Sequence, residues 1–228
     1  MNLSNPTTFQ RKVAGSAMIV APIAFVIAEI LHGHFENDAG KYLDAIAANT
    51  GRWYAAHVLV LVSLVLALPA YAGVARLLQP RRPSLGNLGW VAVVPGTVAL
   101  AALVGMELVA WQMAQVADRA QMVELWKNTA ENAGIAPLIL VALLWPVAWL
   151  LLGIGLFLTR LVPRWSAALV GLAQLVGFVG ELAEAPKWLA VAAQVAFAVG
   201  LIPIGIRVLR RPDASWDAPR RAGEPVPA

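Results

Sequence analysis

Residues 55–83 read AAHVLVLVSLVLALPAYAGVARLLQPRRP. From Ala55 to Leu78 the run carries one charged side chain, Arg76, close to its end. A helix rises about 1.5 Å per residue and bilayer hydrocarbon is about 30 Å thick, so roughly 20 apolar residues cross it. The run is long enough, and Gln79-Pro80-Arg81-Arg82-Pro83 then stops it with two prolines and two guanidinium groups. A soluble helix apolar on every side would leave one face in water, a conflict that lipid removes.

Five further runs have the same character, at about 13–31, 88–112, 135–159, 165–183 and 187–208. The whole chain agrees with them. Of its 228 residues 60% are hydrophobic and 13% charged, with a mean hydropathy of +0.70; soluble domains carry roughly 25% charged residues. The sequence therefore predicts an all-α polytopic membrane protein. Its six transmembrane helices form one bundle over 13–208, preceded by a segment at 1–12 and followed by a disordered basic tail at 209–228. The first run is long for a signal-peptide h-region and no small-x-small cleavage site follows it, so it is read as a retained span. There is no room beside these spans for a soluble catalytic domain. The absence of cysteine excludes disulfides, thiolate metal sites and Cys nucleophiles.

Basic residues in short loops set orientation. One set of segments holds Arg11, Lys12, Arg76, Arg81, Arg82, Arg160, Arg164, Arg207, Arg210, Arg211, Arg220 and Arg221. The opposite set holds Lys41, Arg52, Arg119, Lys127 and Lys187. The first set is expected in the cytoplasm, which places both termini there and makes the chain a multi-pass protein of the cell (inner) membrane. Ten of the thirteen acids fall on the outer side; Asp213, Asp217 and Glu224 stay inside. The net charge of +4 is dispersed over turns and tail, so its partner is the lipid bilayer and no nucleic acid is expected.

Two outer segments carry helical patterning. Tyr42, Leu43, Ile46 and Ala47 follow an Asn37-Asp38 turn, and Met122, Leu125 and Trp126 share a second segment. Both read as amphipathic helices lying at the outer interface. Trp53, Trp90, Trp111, Trp165 and Trp188 stand near span ends and read as interface anchors. Small-x-x-x-small steps at Ala101/Gly105, Ala167/Gly171, Ala173/Gly177 and Ala192/Ala196/Gly200 mark expected helix contacts. Pro22, Pro69, Pro95, Pro146 and Pro203 each remove a helical hydrogen bond and are candidate kinks. Each inside-to-outside span carries one Glu near its outer end, which suggests a three-hairpin internal repeat.

Those glutamates are the candidate site. Ionisable groups inside a membrane are costly and are functional candidates by default. Glu29, Glu107 and Glu181 fall at one depth, with His32, His57, Gln112, Glu184 and Lys187 at the same level. Glu29 and His32 are three apart and share a helix face, and a hairpin can bring His57 beside them. Carboxylates with imidazole suit a divalent cation, for which Glu29, His32 and His57 are the candidate ligands; the same groups could exchange protons or hold a cationic substrate. The plainer alternative is that each Glu reaches water or pairs with Lys187 or Arg52. No H-E-x-x-H, G-x-S-x-G or P-loop pattern is present, and the single E-x-x-H falls short of the two that a di-iron bundle needs.

The reading that follows is a small membrane protein that binds or moves a small cation, proton-coupled or metal-like, through an outward acidic cluster. No cofactor is required by it, though a divalent metal fits. Its size makes a homo-oligomer or a membrane-protein partner plausible. Two other classes remain open: a non-catalytic accessory or scaffold subunit, and a membrane redox (haem or metal) or lipid-modifying enzyme.

Overall fold

Asn5 opens the first helix: its side-chain oxygen accepts from the N–H groups of Thr7 and Thr8 at 3.0 and 3.4 Å, and Pro6 fills the first helical position. In the computed structural model, which describes residues 5–33, 38–130, 133–183 and 185–217, this helix is α1 (Pro6–Leu31). It is followed by α2 (Ala39–Ala48), α3 (Thr50–Leu78), α4 (Pro83–Met113), α5 (Arg119–Ala130), α6 (Ala136–Ala142), α7 (Leu144–Thr159), α8 (Arg164–Leu182), α9 (Lys187–Arg210) and α10 (Asp213–Asp217). No strand occurs among the described residues. α1, α3 and α4 begin several residues before their apolar runs, because capping side chains and prolines set helix ends, whereas hydropathy sets only the membrane-embedded part.

α6 and α7 are two pieces of one span, 136–159, so six helices are long and apolar enough to cross a membrane, as a multi-pass membrane protein requires. Their outward faces are apolar: Val91 is 71% exposed and Val98 66%. The break at Leu143 has a local cause, since Pro146 lacks the N–H that would bond the Ala142 carbonyl. Pro22, Pro69, Pro95 and Pro203 lie inside helices that continue through them.

Each span packs on the next along the chain, and α9 closes on α1, making a ring. Its interior is filled by Tyr71, Trp145, Trp149 and Phe197 with Leu64 and Leu152, all buried. Trp149 meets Phe197 and Tyr71 edge-on at 4.8 and 5.3 Å. α7 and α8 approach backbone to backbone: a Cβ on Gly153 would lie 2.4 Å from the Cα of Gly171. Of the small-residue steps, the one ending at Gly105 marks no contact there, because nothing lies within 4 Å of a Cβ built on it.

The two short helices α2 and α5 pack against the spans, α2 by its apolar face and α5 chiefly by Trp126, while Leu125 stays exposed. Tyr42, Leu43, Ile46 and Trp126 are buried against Trp53, Ala110 and Met113, and Tyr42 stacks on Trp126 at 5.1 Å. Arg119 holds α5 to α2, donating to Asp44 Oδ1 and the Gly40 carbonyl at 2.6 Å each. α2 and α5 thus cap the bundle end where α1 and α4 finish and α3 starts. Trp53, read as an interface anchor, is part of this buried cap, whereas Trp90, Trp165 and Trp188 are exposed at span ends.

At the opposite end the expectation of a disordered tail fails for 213–217. α10 docks there: Asp213 accepts from Thr8 Oγ1 and, at 2.7 Å, from Arg11 Nε, while Arg76 donates to the Trp216 carbonyl at 3.1 Å. The Thr8 and Arg11 donors hold the Asp213 carboxyl below its ordinary value. An undocked tail then binds the proton more tightly than a docked one. Docking is favoured above the ordinary carboxylate pKa and lost as pH falls through the docked value. Hydrogen exchange at 213–217, corrected for its intrinsic rate, should be slow near neutrality and accelerate below about pH 4. The Asp213→Asn variant should exchange rapidly at both; equal protection in that variant would show the contact to be inert. Residues 218–228 of the expected tail lie outside the described residues.

Candidate functional site

The capped end brings three spans to one point. His32 is the C-cap of α1, His57 lies two turns into α3 and Glu107 about two turns before the end of α4. Arg52 fixes the α1 terminus by donating to the carbonyls of Leu31 and Ile30 at 2.6 and 3.2 Å, as a cation at a helix C-terminus should. Trp53 packs against both imidazoles, its ring centroid 4.8 Å from His32 and 4.7 Å from His57. Its indole N–H is buried and finds no hydrogen-bond partner among the described residues.

Backbone carbonyls orient the two histidines alike. His57 Nδ1 is 2.7 Å from the Trp53 carbonyl, and His32 Nδ1 is 2.8 Å from that of Gly33. A carbonyl only accepts, so each Nδ1 carries a hydrogen and each neutral ring keeps its lone pair on Nε2. Both Nε2 atoms face Glu107: His57 Nε2 is 2.6 Å from Oε2 and His32 Nε2 is 4.0 Å away. The three ligand atoms lie within 4.8 Å of one another. A metal bound at about 2.0–2.2 Å to each of them needs ligand atoms about 3.4 Å apart, which the 2.6 and 4.0 Å contacts bracket. Two imidazoles and a carboxylate are the donors expected of a zinc-class ion, and their Nδ1–H bonds are the outer-shell supports such ligands need.

The other two glutamates stand apart from this group. Glu29 pairs with Lys187, and Glu107 takes the place beside the imidazoles that the sequence reading gave to Glu29. Glu181 is exposed and has no hydrogen-bond or ion-pair partner among the described residues. Glu29 and Glu181 together line a cavity of ≈ 140 Å³ that reaches inward to Phe25, Leu64 and Trp145. Gln112 is exposed and lines neither group. Glu184 and His34 lie outside the described residues.

Sequence reasoning missed the inner end of the cavity. There Trp145 Nε1 donates to Gln174 Oε1 at 3.1 Å, and Gln174 Nε2 donates to Gln194 Oε1 at 2.9 Å. The signal was present, since each glutamine interrupts an apolar run, but both lie deeper in their spans than the level of Glu29, Glu107 and Glu181 at which the candidate site was expected. A comparison with protein-family models, with curated proteins and with solved structures found no match to this chain, so its fold and site rest on its own residues.

Proposed function

We propose that this chain is a multi-pass membrane protein that binds a divalent cation of the zinc class through His32, His57 and Glu107. The observation that carries the proposal is the paired orientation of the imidazoles, each fixed by a carbonyl at Nδ1 and both turning Nε2 toward one buried-edge carboxylate. Three protein ligands leave a coordination position open, which suits an ion held for passage or exchange more than a closed structural site. The arginine-rich turns support cytoplasmic termini in the cell (inner) membrane, which puts the site on the outer side. The three glutamates share one end of the bundle, in line with a three-hairpin repeat, but sit in three different environments, so the metal reading uses Glu107 alone.

Cobalt(II), a spectroscopic stand-in for zinc, tests the proposal. Purified full-length protein in lipid nanodiscs should develop visible ligand-field absorption that saturates at one ion per chain and is bleached by zinc. Failure of either metal to bind would exclude the assignment and favour the accessory-subunit reading. A second reading has its own support in the 2.6 Å contact, which is also what an imidazole and a carboxylate sharing a proton would give. Proton-coupled transport without metal uptake would favour it.

A further inference from the structure

The cavity beside the metal group has a chemical polarity that follows from its hydrogen bonds. An indole N–H can only donate, so Trp145 requires the oxygen of Gln174 to face it. The amide nitrogen of Gln174 then faces Gln194, whose oxygen receives it. Each amide oxygen already accepts one hydrogen bond, and the relay ends on the amide nitrogen of Gln194. Gln194 is 9% exposed and lines the cavity, and that nitrogen has no partner among the described residues. The inner end therefore offers a hydrogen-bond donor. The outer end offers acceptors, the carboxylates of Glu29 and Glu181. Gln174 and Glu181 stand two turns apart on α8, about 10 Å along its axis. Between them the wall is apolar and aromatic, with Phe25 and Trp145 ring centroids 6.2 Å apart.

Charge narrows the occupant further. At the mouth, Glu29 and Glu181 face one ammonium, that of Lys187, which pairs with Glu29. One negative charge stays uncompensated there among the described groups. An inorganic cation would want several oxygens around it, and the two inner amide oxygens are each already turned to a neighbouring N–H. A primary amine fits both ends: its ammonium meets the carboxylates, its chain lies along the apolar wall, and an acceptor at the far end takes the Gln194 N–H.

We propose that this cavity binds a small elongated primary amine bearing a hydroxyl or carbonyl acceptor at its other end. The Lys187 ammonium, carried on a flexible stem, occupies the ligand's ammonium position at Glu29. The site is separate from the metal group and shares no side chain with it.

Calorimetric titration of the full-length protein in lipid nanodiscs tests this with three probes: 5-aminopentan-1-ol, pentylamine and pentan-1-ol, each referred to protein-free nanodiscs. The amino alcohol should bind saturably at one per chain, and pentylamine about tenfold more weakly for want of one hydrogen bond. Pentan-1-ol should show only partition into lipid. The Gln194→Leu variant should reduce the amino alcohol to the affinity of pentylamine while leaving cobalt and zinc binding unchanged, which separates this site from the metal reading. The Lys187→Met variant should bind both amines about tenfold more tightly by removing the competing ammonium, a gain that misfolding cannot produce. The inference is overturned if neither wild-type protein nor the Lys187→Met variant binds the amino alcohol saturably. It is overturned equally if the Glu29→Gln/Glu181→Gln double variant binds it as tightly as wild type.

Discussion

The His57→Ala variant should lose zinc affinity by about 100-fold or more. Four-ligand zinc sites have apparent binding free energies of about 10–16 kcal/mol, or about 3 kcal/mol per ligand, which corresponds to two orders of magnitude. His57 carries at least that share, because it is fully buried, its Nδ1 is held by the Trp53 carbonyl, and its Nε2 is the nitrogen closest to Glu107. His32 is partly exposed and 4.0 Å from the same oxygen, so His32→Ala should cost somewhat less. The informative control is Glu29→Gln. If the metal is held as described, that variant retains near wild-type zinc affinity, because Glu29 faces Lys187. A loss in Glu29→Gln matching that in His57→Ala would restore Glu29 to the ligand set. Removal of the imidazole also leaves a void against Trp53, so thermal unfolding of metal-free His57→Ala must be recorded beside the titration.

Gly153→Leu should abolish the folded state or strip most of its stability. The Cβ of even an alanine would stand 2.4 Å from Gly171 Cα, 2.7 Å from its nitrogen and 2.9 Å from the Ala167 carbonyl oxygen. Those are backbone atoms of a neighbouring helix, so relief requires α7 and α8 to separate. Inserting one extra methyl into a tight core costs about 1–3 kcal/mol. A leucine adds three further carbons, against a total stability of about 5–15 kcal/mol for a typical domain. Gly105→Leu is the matched comparison, on a span with open space around the built Cβ. It should unfold within a few degrees of wild type when aggregation is followed by size exclusion after heating. Equal thermal stability of the two variants would contradict the α7–α8 contact.

The bundle was legible in the sequence because hydropathy over about 20 residues is a local property. The run at 55–78 falls within α3, and its basic turn separates α3 from α4. Helix ends were less legible: Asn5 and Asn49 cap helices that begin in polar sequence, well before the apolar runs. The helices α2 and α5 were legible as amphipathic segments, but an amphipathic pattern states which side is apolar without stating what covers it. Here Trp53, Ala110 and Met113 do so.

The site was legible as a depth and illegible as a set of pairs. Topology alone put Glu29, Glu107, Glu181, His32 and His57 at one end. Which carboxylate meets which cation depends on the order of helices around the ring and on their rotation. α9 closes on α1 and brings Lys187 to Glu29, while α3 lies between α1 and α4 and hands His57 to Glu107. The glutamine relay needed the same information, since Gln174 and Gln194 are unremarkable until α7, α8 and α9 bring them into line with Trp145.

X-ray absorption at the zinc edge of the zinc-loaded, full-length protein addresses the metal assignment most directly. Two imidazole nitrogens and one carboxylate oxygen from the chain should appear at about 2.0–2.2 Å, with one imidazole's scattering lost in His57→Ala. A shell of light atoms without imidazole scattering, or an imidazole signal unchanged in the His32→Ala/His57→Ala double variant, would contradict a centre built on His32, His57 and Glu107.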